Sequence, residues 1–299
     1  MERQQHGANS AVEGLLDEHL RTLGAGFHAD PIAIYGPLEG GVDDTVRDVI
    51  EDLREQGSGL DDLVVLVDTE GGYLDVVRRI VETFRHHYTT VSFVIPNAAY
   101  SAGTILAMSG DAIYMDYYSR LGPIDPQVPG ENGNMVPALG FLRRYEDLVA
   151  RAQGIGDPLS LAEIQLLISG FNQAELYMYD QQRQLSVTLL EDWLATYKFK
   201  DWGTTRTRGL PVTDAMRRQR AVEVAKALND TDRWHSHSAG ISAAVLDTEL
   251  NLRIDPFADH GESIRRYHGL LRDYMALNGH WGIVHAPGSY SAYHVHLPG

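Results

Sequence analysis

From residue 31 onward, short continuous apolar runs alternate with longer stretches in which apolar residues recur every third or fourth position. Residues 32–35 form the first run, and residues 42–56 follow with Val46, Val49, Ile50 and Leu53 on one helical face. Residues 63–67 form a second run, and the helix after it turns Leu74, Val77, Ile80, Val81 and Phe84 to one side. The third run, residues 91–95, has the length and β-branched content of a buried strand; Pro96 and Asn97 break it before an apolar helix at 104–108. Three strand–turn–helix units in succession, at 32–56, 63–87 and 91–110, predict a parallel sheet with right-handed crossovers. In such sheets the working edge lies at the carboxyl ends of the strands.

The flanks are less regular. Residues 1–28 are polar, with a short amphipathic stretch around Leu15, Leu16, Leu20 and Leu23, and read as an N-terminal extension. Residues 129–157 begin with Pro, Gly and Asn and continue as a charged helix over 141–153. A long helical pattern occupies 159–200, another helix 212–228 opens at Thr213 or Asp214, and 232–255 reads as loop, short helix and strand. A helix at 263–277 precedes a Gly-, His- and Tyr-rich end. The division expected is an extension at 1–28, one α/β domain at 29–258, and a helix with a tail at 259–299.

Composition narrows the function. The formal net charge of −16 disfavours nucleic acid or an anionic membrane as partner, because both need clustered Lys and Arg. Cysteine is absent, which removes disulfides, thiolate chemistry and Cys-ligated metals. No run reaches the length of a membrane span, and the N-terminus lacks the basic-then-apolar layout of a signal peptide, so a cytoplasmic protein is expected. His294 and His296 alternate as a zinc-binding pair can, but without a third ligand at a telling position a solvated tail is the simpler reading; no metal and no cofactor are expected.

Two stretches carry candidate chemistry. Gly71 and Gly72 sit between a strand and a helix, where backbone N–H groups can cradle an anion or oxyanion; Gly-Gly is also an ordinary tight turn. Ser101, among Ala99, Ala102 and Gly103, occupies the next strand-to-helix turn, where a helix N-terminus stabilises negative charge. A helix-capping serine is the plainer alternative. Both stretches fall at the same edge of the expected sheet. His86 and His87 end the intervening helix and suit its dipole.

Asp68-Thr69-Glu70-Gly71-Gly72 after a strand resembles the Ser-Pro-Gly-Gly loop of Clp-type protease subunits and signal-peptide peptidase A. Tyr100-Ser101-Ala102-Gly103, about 30 residues on, resembles their nucleophile turn. With Leu121-Gly122-Pro123-Ile124-Asp125-Pro126-Gln127, the segment 197–202 and Trp234-His235-Ser236-His237, the chain is similar to the serine dehydrogenase proteinase family over roughly residues 30 to 275. This is a branch of the Clp/crotonase superfamily. The resemblance implies a repeated β-β-α superhelix with a mostly parallel sheet and a helical C-terminal region. It implies a serine peptidase acting on peptides or proteins, with 129–157 as a lid and a homo-oligomeric assembly. The departures concern the base. The slot that holds the catalytic His of Clp-type subunits carries Pro123, Ile124 and Asp125 here, Glu70 replaces the loop proline, and Ser238 replaces a family Gly.

Ser101 therefore needs a base from elsewhere. Lys198 or Lys200 could serve, as in the Ser-Lys dyads of signal-peptide peptidases, and lysine is scarce in this chain, occurring otherwise only as Lys226. Snorkelling at a helix end explains them equally well. His237 is the second candidate, oriented by Asp232, which falls near the family's triad aspartate, or by Asp125; a loop histidine satisfied by backbone is its alternative. The oxyanion donors expected are Gly71, Gly72 and Ala102. The rival functions are a crotonase-like acyl-CoA enzyme and a non-catalytic oligomeric scaffold.

Overall fold

The computed structural model describes residues 2–56, 59–124, 127–129, 135–205, 207–234 and 240–293. In chain order the first half comprises α1 (Glu2–Phe27), β1 (Asp30–Tyr35), α2 (Val42–Glu55), β2 (Asp62–Asp68), α3 (Leu74–His87), β3 (Thr90–Val94), β4 (Ala98–Ala99), α4 (Ala102–Met108), β5 (Ala112–Tyr114) and β6 (Arg120–Leu121). A hairpin of β7 (Gln127–Pro129) and β8 (Met135–Pro137) leads into α5 (Ala138–Ala152), α6 (Leu161–Ser169) and α7 (Gln173–Trp193). A π-helical turn, Leu194–Lys198, closes α7. Then come α8 (Asp214–Leu228), α9 (Thr231–Trp234), β9 (Ile241–Ser242), α10 (Ala243–Thr248), α11 (Gly261–Asn278), β10 (Gly282–Ala286) and β11 (Ser289–Tyr293).

The main sheet runs β11-β10-β1-β2-β3-β5. Its four strands from β1 to β5 are parallel, and β10 and β11 add an antiparallel edge. The mixed α/β class with a mostly parallel sheet is thus as the patterning predicts. Because both faces are covered, the strands are apolar throughout rather than alternating. Leu63, Val65 and Val67 of β2 enter the core under α2, α3 and α4, while Val64 and Leu66 enter the core under α1 and α11. The helical faces read from spacing are the buried ones, with Val46, Val49, Ile50 and Leu53 on α2 and Val77, Ile80, Val81 and Phe84 on α3.

The termini are more integrated than their composition suggests. α1 buries Leu16, Leu20 and Leu23 against β1 and α11. The Gly-, His- and Tyr-rich end pairs as β10 and β11, with Val284 opposite Ile34 on β1. Buried His285 faces the Asp17 carboxylate of α1 at 3.0 Å and the Tyr267 hydroxyl at 2.7 Å, which fastens the two ends of the chain together. His294 and His296 lie outside the described residues.

A second sheet of three short strands, β4-β6-β9, crosses above the carboxyl ends of the parallel strands. It links the segment before α4 to the segments after α4 and α9.

Candidate active site

Each turn at the carboxyl edge is shaped by glycine. Gly71 has φ +112, and a Cβ placed on it would lie 2.9 Å from the Ser101 Cβ, so only glycine lets the two loops meet. A Cβ on Gly72 would lie 2.1 Å from the Leu38 carbonyl oxygen. The loop is clamped there because Leu38 N–H donates to Gly71 O at 2.8 Å and Tyr73 N–H donates to Leu38 O at 2.9 Å. Gly71 N–H is itself engaged by the Thr69 hydroxyl at 3.0 Å. Gly72 N–H has no acceptor among the described residues, and Ala102, as the first residue of α4, has no intrahelical acceptor.

Ser101 sits between these donors at the N-cap of α4 with φ 51 and ψ −119. Such a conformation in a non-glycine residue costs about 1–3 kcal/mol and is held only by its surroundings. Its hydroxyl makes no capping hydrogen bond, unlike Thr213 and Ser160, which cap α8 and α6 in the ordinary way. The Thr104 hydroxyl pins the turn from behind, donating to Ala99 O at 2.7 Å and accepting from Gly122 N–H at 2.9 Å. Thr104 and Thr69 escaped the reading by sequence; a buried threonine inside an apolar helix is the signal that marks the former.

The structure brings Gly71, Gly72, Ser101 and Ala102 together and places Lys200 elsewhere. Lys200 Nζ lies 2.5 Å from the Asp111 carboxylate, just before β5, at the far end of α4 from Ser101. Seven helical residues separate the two ends, about 10 Å. Asp111 also receives Arg85 at 2.8 Å and the Val91 N–H at 2.7 Å. Burial pushes its carboxyl up, but the hydrogen bonds from Lys200, Val91 and Arg85 outweigh that and hold it below the usual range.

Lys198 ends the π-helical turn beside Asp255 and Asp111, and burial pushes its amine down to about 8 despite those carboxylates. His237 and Asp125 lie outside the described residues. Asp232 falls on α9, whose Trp234 indole donates to Ala227 O at 2.8 Å. No group of His, Asp and Glu able to hold a metal occurs among the described residues, and no helix there is long and apolar enough to cross a membrane.

Residues 42–163 match the model of the ClpP-like SDH-type serine proteinase family, which spans both turns and α4. Two uncharacterized proteins of Methanocaldococcus jannaschii are similar in sequence. One is 25% identical over 145 residues, 47% of this chain and 44% of the relative. The other is 26% identical over 123 residues, 41% of this chain and 37% of the relative. The chain thus spans less than half the length of the curated relatives it matches. Among solved structures, a membrane-bound stomatin-specific protease, 1510-N, with a serine-to-alanine substitution aligns at 18% identity and a TM-score of 0.32, over 49% of this chain and 73% of that one. Its lysine-to-alanine form with a substrate peptide aligns at 19% identity and a TM-score of 0.32, over 49% and 69% of the two chains. The resemblance to the serine dehydrogenase proteinase family read from the motifs therefore holds over residues 42–163.

Proposed function

With residues 42–163 matching the ClpP-like SDH-type serine proteinases, we propose that the chain is a serine peptidase whose nucleophile is Ser101. The observation that carries this is the strained Ser101 backbone, held at φ 51 against Gly71 without a capping bond. Strain of this kind is retained where surroundings over-determine it, and here it frees the hydroxyl from the helix.

Attack of Ser101 Oγ on a peptide carbonyl forms the C–O bond and puts negative charge on the carbonyl oxygen. The N–H groups of Gly72 and Ala102 receive that charge, helped by the positive end of α4. Gly71, the third expected donor, gives its N–H to the Thr69 hydroxyl and instead provides the close approach to Ser101.

The proton of Ser101 passes to His237. Supporting this, His237 lies in the sequence between α9 and β9, and β9 pairs with β6, which pairs with β4 directly before Tyr100 and Ser101. Two inter-strand spacings amount to about 10 Å. Asp232 on α9 or Asp125 orients the ring, and the protonated His237 then returns its proton to the leaving amine. The segment 129–157, which carries α5, serves as the lid, and self-association completes the assembly.

Incubating the purified chain with a fluorophosphonate probe tests the assignment. Stoichiometric labelling of Ser101, absent in Ser101→Ala, is expected. An unlabelled wild type points to a scaffold, and saturable binding of acyl-CoA without labelling points to an acyl-CoA enzyme.

A further inference from the structure

The carboxyl ends of β1 and β2, the turn at Ala98 and Tyr100, and the last turns of α11 line an open cavity of about 670 Å³. It abuts both loops of the proposed active site, because Glu70, next to Gly71, and Tyr100, next to Ser101, line it. A crevice outside the carboxyl ends of parallel strands is where open α/β sheets take ligands.

Its charge is one-sided. Asp68 is buried and engaged twice, accepting from Asn97 at 3.0 Å and from Arg272 at 2.9 Å, so this pair cancels within the wall. Glu39 and Glu70 also line the cavity and make no ion pair among the described residues. Trp281, 64% exposed, stands at the rim with its ring available. Two uncompensated carboxylates with aromatic faces, in a space large enough for a long side chain, suit a guanidinium or ammonium group on an aliphatic stem.

We infer that this cavity is a subsite for a lysine or arginine side chain of the peptide substrate, held by Glu39 and Glu70 beside the Ser101 turn. The inference rests on the peptidase reading for the identity of the ligand as a peptide. It gives the acidic balance of the chain a local role, since a polybasic segment is drawn to this edge before it is cut.

The test uses full-length Ser101→Ala, so that binding is read without turnover. Fluorescein-labelled short peptides carrying a single Lys, norleucine or Glu, scanned along an Ala/Gly background, are titrated by anisotropy. The Lys peptide is expected to bind about tenfold tighter than the norleucine peptide at low salt. Glu39→Gln with Glu70→Gln should abolish that preference, and Glu39→Lys with Glu70→Lys should turn it toward the Glu peptide. Thermal melts confirm folding of each variant. Equal binding of Lys and norleucine, no binding of any peptide, or a preference that survives the double Gln variant overturns the assignment. Fluorophosphonate labelling of the wild type is read in parallel. Labelling without a Lys preference leaves the peptidase and removes the subsite; a Lys preference without labelling does the reverse.

Discussion

At one end of α4, Gly72 and Ala102 present N–H groups with no acceptor among the described residues, beside a serine held at φ 51. At the other end, the Asp111 carboxylate collects Arg85, Lys200 and the Val91 N–H. Both ends hold polar groups against the same hydrophobic sheet. The second meets its carboxylate with two cations and a backbone donor, which is what stability asks of a buried charge. The first leaves donors unengaged and backbone strained, which lowers stability and is retained where a ligand supplies the missing acceptor. Ion-pair richness alone would have pointed to the end of the helix opposite the proposed site.

The sharpest way to break this contrast is Ser101→Ala. Hydrolysis and labelling should fall by about 10,000-fold or more, while stability changes by less than about 1 kcal/mol because the hydroxyl makes no capping bond. Activity surviving in the purified variant would show that the strained turn is not the nucleophile.

Gly72→Val should lower kcat by about 100-fold and stability by about 2 kcal/mol or more, since its Cβ would press on the Leu38 carbonyl. A variant with a normal melting temperature and normal turnover would move the oxyanion donors elsewhere.

At the ion-paired end, Asp111→Ala should cost about 3 kcal/mol by stranding Arg85, while kcat per folded molecule stays unchanged. Asp111 is held below its ordinary value in the folded chain, so its contribution is present above the unfolded carboxylate range and lost as pH falls through the folded value. Urea melts of wild type should therefore weaken below about pH 4, and those of the variant less so.

Lys198 gives the opposite sign. Its amine is pushed down to about 8, so between that value and its unfolded value near 10.5 the unfolded chain binds the extra proton and stability rises with pH. Lys198→Met should stabilise the chain at pH 7 by about 2 kcal/mol and flatten that alkaline rise, both read by melts across pH. A destabilised Lys198→Met would mean that its carboxylate neighbours, not burial, dominate.

The smallest effect is expected of Lys200→Met, about 1 kcal/mol of stability, because Arg85 and Val91 still hold Asp111. Its pH–rate profile should keep a rise between about pH 6 and 7, as for a histidine base, whereas His237→Gln should lose it. An alkaline shift in Lys200→Met would return the role to lysine.

Local pattern was enough for the parallel core. The runs at 63–67 and 91–95 are apolar because both sheet faces are covered, and the i, i+3, i+4 spacing of α2 and α3 follows from one buried face. Gly71-Gly72 and Ser101 were placed at one edge by the order of strand and helix alone. The closing strands were not legible: β10 and β11 carry Gly, His and Tyr, whose fit to a sheet depends on cross-strand neighbours such as Ile34. Nor was the apolar α6 readable as a surface helix, for its Leu161 and Ile168 are exposed at 86% and 78%.

By itself, then, the amino-acid order determined which segments become strands and helices, their parallel sense, and the common edge of the two glycine- and serine-bearing turns, because periodicity and turn chemistry act over a few residues. Only the tertiary structure decided which polar groups meet. Lys200 reaches Asp111 across a sequence separation of 89, and Arg272 reaches Asp68 across one of 204. Such pairings are set by how helices pack over the sheet, and no local pattern encodes them. The conformation of Ser101 is of the same kind, since its backbone is imposed by Gly71 from the neighbouring strand end rather than chosen by the residue.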